Sequence, residues 1–153
     1  ISRFSILMAR SPSPSRKKSK MSASSQFWWK AHALSGALAV TLGAFGGHGL
    51  KTRVEKGLLI PRMLEVWETA VRYHFAHTLV GLLAVVMRNY NVENNLKARL
   101  ESNYAAAMAF VGNFLFCGSL YGMVLTDIKK LGAITPIGGT CYIIAWFCLA
   151  FDK

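Results

Sequence analysis

Acidic side chains are scarce in this chain. The 153 residues include 7 Asp and Glu against 18 Lys and Arg, and no acid precedes Glu55. That scarcity leaves no row of carboxylates for an ion path and no carboxylate or Cys cluster to complete a metal site. Cysteine is equally thin. Cys117, Cys141 and Cys148 all fall in hydrophobic runs, no CxxC occurs, and an odd number in apolar surroundings argues against a disulfide framework. They read as buried, unreactive thiols. No Ser–His–Asp or Cys–His arrangement follows from the spacings, and the Gly138–Gly139 pair is too sparse for a phosphate loop. Catalysis has no positive signal, so the chain reads as a non-enzyme. Charged residues make up 16% of it, below the ~25% of soluble domains, and 53% are hydrophobic. A membrane protein is the class that fits.

The net charge of +11 is unevenly placed. Nine of the eighteen Lys and Arg precede Glu55, seven of them before the first hydrophobic run. A basic tail beside a membrane anchor, with no aromatic–basic interleaving, argues against a nucleic-acid partner. Residues 1–26 are rich in Ser and Arg, carry Pro12 and Pro14 and lack acids, the composition of a mitochondrial import signal or its remnant. Starting at Ile1, the chain reads as processed or incomplete at its beginning, with Met21 as an alternative start. Such an arm is disordered alone, so an ordered arm implies a partner surface.

Residues 27–153 read as an all-α bundle of four membrane spans, at about 31–50, 66–87, 104–125 and 135–151. The first, AHALSGALAVTLGAFGGHGL, has no formal charge over twenty residues. Ser35, Ala39, Gly43 and Gly47 recur in it at every fourth position and predict a ridge for close helix approach, and Gly118 with Gly122 repeats that spacing in the third span. Gly138 and Gly139 suggest the same in the fourth. Trp28, Trp29, Trp67 and Trp146 read as interface anchors, with Lys30 completing a basic collar. Gly57 signals a turn, Pro61 suits the first position of a helix, and Thr135 suits a cap ahead of Pro136. Leu96, Leu100 and Tyr104 suggest an amphipathic lead-in to the third span. Eleven Lys and Arg on the side of the termini against six on the other place both termini in the matrix or cytoplasm.

Histidines inside a membrane are functional suspects. His74 and His77 share a face of the second span at i and i+3, and His48 ends the first span on the same membrane side, so a haem or metal between His48 and one of them is geometrically allowed. The plainer reading is that the imidazoles bond backbone carbonyls or Glu68 and fix the helix pair. His32 lies about 24 Å from His48 along the helix and cannot share a centre with it. Arg72 could meet a lipid phosphate or a quinone oxygen, but pairing with Glu68 four residues earlier, or snorkelling, is the simpler role. Asn113 could line a pore; bonding across helices is favoured.

Four stretches in order carry a resemblance: GALAVTLGAFGGHGLK (Gly36–Lys51), WETAVRYHFAHTL (Trp67–Leu79), FCGSLY (Phe116–Tyr121) and GAITPIGGTCYIIAW (Gly132–Trp146). Over about Lys30 to Phe151 the chain resembles the family of transmembrane protein 256, or domain of unknown function 423. Gly47 stands where that family's pattern has alanine. The resemblance implies a four-helix protein of bacterial inner membranes or mitochondria and brings no catalytic residues; no cofactor is expected from the residues, a bound phospholipid such as cardiolipin aside. The function expected is that of a structural accessory subunit of a mitochondrial inner-membrane respiratory complex, I or IV before ATP synthase, with neighbouring subunits and lipids as partners. The alternatives are a small carrier or channel lined by His74, His77, Arg72 and Asn113, or a haem- or quinone-binding redox protein using His48, His74 and His77.

Overall fold

The computed structural model describes residues 20–94 and 101–151, the side chains of 101 and 102 aside. Residues 1–19 of the arm expected at 1–26 and the lead-in residues Leu96 and Leu100 lie outside them. The first helix runs over Ala23–Phe45, passes through a π-helical stretch at Gly46–Leu50 and continues over Lys51–Glu55. Ser22 caps its start, the hydroxyl accepting from the Ser25 N–H at 3.2 Å. The helix therefore begins ahead of the expected boundary at residue 27, and Trp28 to Lys30 are helical. Gly57, at φ 69°, turns the chain in the left-handed region that glycine tolerates, and Pro61 opens the second helix, Pro61–Glu93. At about 1.5 Å per residue its 33 residues exceed a ~30 Å hydrocarbon core, so the helix projects beyond it.

The third helix comprises Glu101–Gly112, a π-helical stretch at Asn113–Cys117, and Gly118–Thr126. Asp127, at φ 57°, ends it, and a 3-10 turn at Lys129–Ala133 leads into the fourth helix, Thr135–Ala150. Thr135 does not cap that helix as expected. Ile134 occupies the cap position, and the Thr135 hydroxyl bonds Ser119 Oγ at 2.9 Å. All four helical runs are long and apolar enough to cross a membrane. The second and third form the inner pair, each with 44% of its apolar window buried, against 22% and 17% for the first and fourth.

Antiparallel seams join neighbours in the order of the chain. Between the first and second helices, Gly36 faces Thr78, Gly43 faces Val71 and Gly46 faces the Trp67 indole. Between the third and fourth, Gly112 lies under the Tyr142 ring and Gly138 against the Phe116 backbone. Cβ atoms at Gly46 and Gly112 would stand 2.6 and 2.5 Å from those rings, so only glycine fits without displacement. The ridge expected at every fourth residue is therefore corrected at its end. Gly47 is exposed with nothing within 4 Å, and Gly46 makes the close approach instead. Each step of four overshoots a 3.6-residue turn by about 40°, so such a ridge walks off the seam. The contact face repeats nearer 3.5, through His32, Ser35, Ala39, Gly43 and Gly46. Gly118 is likewise open, Gly122 meets Leu131 of the 3-10 turn at 3.1 Å, and Gly139 meets only the Phe116 ring at 3.8 Å.

Trp67 is a second correction. It is 1% exposed and belongs to the core rather than to a membrane interface, its indole N–H donating to Leu42 O at 2.9 Å. Leu50, Met63, Ala70, Cys117, Leu120 and Val124 surround it. Trp29 and Trp146 are exposed, and Trp28 packs edge-on to Phe110 at 6.0 Å.

Candidate functional site

Polar side chains inside hydrocarbon must satisfy one another, because no water competes for them. Here they do so in one cluster that all four helices supply. Ser35 comes from the first helix, where a small residue lets the second approach. His74 and Thr78 stand one turn apart on the second. Asn113, Cys117 and Tyr121 repeat at i, i+4 and i+8 along the third, and Tyr142 comes from the fourth; all seven are buried. A π-helical turn, a geometry concentrated at functional sites, begins at Asn113 and ends at Cys117.

The bonds form a continuous chain. Tyr142 donates to Asn113 Oδ1 at 2.9 Å, and its oxygen lies 3.1 Å from Cys117 Sγ. Asn113 Nδ2 donates to Thr78 Oγ1 at 3.1 Å and lies 3.5 Å from Ser35 Oγ. Ser35 Oγ stands 3.1 Å from Thr78 Oγ1 and 2.9 Å from His74 Nε2. His74 Nδ1 reaches Tyr121 Oη at 3.4 Å.

One side of this cluster is the floor of a cleft between the first and third helices. Its volume is about 370 Å³, and Ser35, His74, Asn113 and Tyr121 line its depth. Leu34, Leu38, Phe110 and Phe114 form its walls and mouth. Among the described residues, no charged residue lines it.

The histidines separate by role. His77 donates from Nδ1 to Tyr73 O at 2.9 Å, since a carbonyl can only accept, and its ring stacks on Tyr142 with centroids 3.5 Å apart. It faces the fourth helix, whereas His74 faces the first and third. His48 is exposed, thirteen residues beyond Ser35 and so about 20 Å along the helix from the level of His74. The geometry expected for a haem or metal between His48 and His74 or His77 is therefore not made. Among the described residues no three His, Cys, Asp or Glu side chains are grouped to hold a metal. Arg72, exposed, donates to the Glu68 carbonyl and to the Thr69 hydroxyl, both at 3.3 Å, so it meets Glu68 through the backbone. Neither Arg72 nor His77 lines the cleft. Lys30 is exposed on the first helix.

His32 was the histidine least suspected, and it is fully buried. Its Nε2–H donates to Ala106 O at 3.0 Å, and its ring fills the space that Gly81 leaves open. Its Nδ1 has no partner among the described residues. Sequence reasoning also passed over Thr78, Tyr121 and Tyr142. The i, i+4 spacing of His74 with Thr78, and of Asn113 with Cys117 and Tyr121, was the available signal.

The family model described as "Protein of unknown function (DUF423)" matches residues 42–139. The chain belongs to the DUF423 family. Its similar relatives include the UPF0382 membrane protein YwdK of Bacillus subtilis, 41% identical over 117 residues, 76% of this chain and 87% of the relative. The UPF0382 membrane protein SAB0533 of Staphylococcus aureus is 41% identical over the same share of this chain and 86% of its own length. No solved structure matches the chain. In this DUF423 member the matched region holds His74, Thr78, Asn113, Cys117 and Tyr121, while Ser35 and Tyr142 stand just outside it. Relatives named as membrane proteins and four apolar helices agree: this is a four-helix membrane protein.

Proposed function

We propose that the chain is a non-catalytic structural subunit of the mitochondrial inner membrane, accessory to a respiratory assembly, with complex I or IV as host. The observation that carries this reading is the apolar exterior of the bundle. Seven buried polar side chains bond mainly to one another in the core, and the outward flanks are apolar, with Leu34, Val40, Leu79, Phe114, Ile143 and Phe147 exposed. Such a bundle offers neighbours and lipids a surface to pack on. The compartment rests on the Ser/Arg-rich, acid-free residues 1–26, since the relatives are bacterial. Lys and Arg counts support both termini in the matrix.

Native electrophoresis of mild-detergent extracts tests the reading. Co-migration of the tagged chain with a respiratory complex is expected, as is its loss when residues 1–26 are removed. A chain that migrates alone, or that fractionates outside mitochondria, overturns it.

A further inference from the structure

The hydrogen-bond chain in the core has a direction, and that direction leaves one donor over. Tyr142 gives its proton to Asn113 Oδ1, so the Cys117 thiol hydrogen points to the Tyr142 oxygen. Asn113 Nδ2 can only donate, so Thr78 Oγ1 accepts from it. The Thr78 hydroxyl is buried, and its other oxygen neighbour in the cluster is Ser35 Oγ. A buried hydroxyl proton is costly to leave unmatched, so Thr78 donates to Ser35. Ser35 then gives its own proton to His74 Nε2, which makes His74 the neutral tautomer protonated at Nδ1. That Nδ1–H donates to Tyr121 Oη. The chain ends there. The Tyr121 hydroxyl hydrogen has no acceptor among the seven members of the cluster, and Tyr121 lines the cleft. The second hydrogen on Asn113 Nδ2 is nearly as idle, since Ser35 Oγ stands at 3.5 Å.

We propose that this cleft binds an isoprenoid quinone drawn from the bilayer, a ring carbonyl oxygen accepting from the Tyr121 hydroxyl and the Asn113 amide. The volume of about 370 Å³ falls within the ~300–1,000 Å³ of small-molecule sites. An uncharged lining offers nothing to a phosphate headgroup, so the polar end of the ligand is itself uncharged. Phe110 and Phe114 line the cleft with aromatic rings, which suit contact with a flat ring. Leu34 and Leu38, 72% and 52% exposed at the mouth, carry an aliphatic tail out into the hydrocarbon. Binding alone is claimed, with no electron transfer. The site needs no host complex, so this inference and the assembly reading can fail independently.

The test uses the full chain in phosphatidylcholine nanodiscs titrated with decylubiquinone. Quenching of tryptophan emission reports binding, because the Trp67 ring lies 4.6 Å from that of Tyr121. Saturable quenching is expected. Tyr121→Phe removes the idle donor, together with the acceptor of the 3.4 Å bond from His74 Nδ1, and weakens the affinity roughly 3- to 10-fold. Gly118→Leu fills the cleft from a position with nothing within 4 Å and abolishes saturation. Thermal unfolding of both variants checks that the bundle is intact. Non-saturable quenching, equal affinity in all three proteins, or displacement by dioleoylglycerol as effective as by the quinone itself overturns the proposal; the last assigns the cleft to an ordinary lipid ester.

Discussion

The first helix is met very differently on its two sides. Toward the second helix, His32, Gly43 and Gly46 face Gly81, Val71 and Trp67 with no space left between them. Toward the third helix, Leu34, Leu38 and Leu42 border an open cleft of about 370 Å³. Both sides are made of apolar and small residues, so composition does not separate them. The closed side sets a side chain against a glycine at each contact, a ring at Gly46 and Gly81 and Val71 at Gly43, whereas the open side is bordered by leucines and phenylalanines. In a bilayer, where lipid solvates both sides equally well, such interdigitation is what selects a seam.

The hardest test of the closed seams is Gly138→Val. Its Cβ would collide with the backbone of Phe116, which cannot rotate away, and a loss of about 3 kcal/mol or more is expected in unfolding titrations in mixed micelles. Gly46→Ala drives a methyl into the Trp67 indole and should cost about 1–3 kcal/mol by the same measurement. Asn113→Leu strips partners from Tyr142 and Thr78, and a cost of about 1–2 kcal/mol is expected, modest because hydrogen bonds between membrane helices average well below that. Gly47→Ala sharpens the comparison most at the least cost. With open space around it, the alanine should be neutral or stabilise by up to ~1 kcal/mol through helix propensity. Equal effects at Gly46 and Gly47 would break the distinction between closed and open sides. Leu38→Ala, at the mouth of the cleft, should change stability by less than ~0.5 kcal/mol.

Several features were legible because each depends on local chemistry. Gly57 turns the chain, Pro61 starts a helix, and long uncharged runs form the spans. Trp67 was misread because a tryptophan near the start of a hydrophobic run looks alike whether it meets headgroups or a neighbouring glycine. The pairing of His48 with His74 or His77 failed for a related reason. The second span was placed from its hydrophobic run at about residue 66, whereas the helix that Pro61 opens puts His74 nearly four turns inside it.

The residues by themselves determine that this chain makes four apolar helices with short turns, because hydrocarbon admits only backbones that satisfy their own hydrogen bonds. They also determine that few ionisable groups are carried inward. Which glycine meets which ring, and which polar side chains join into one hydrogen-bonded chain beside a cleft, only the tertiary structure decided. Those choices depend on the rotation of each helix about its axis, and a shift of one residue in spacing turns that rotation by about 100°.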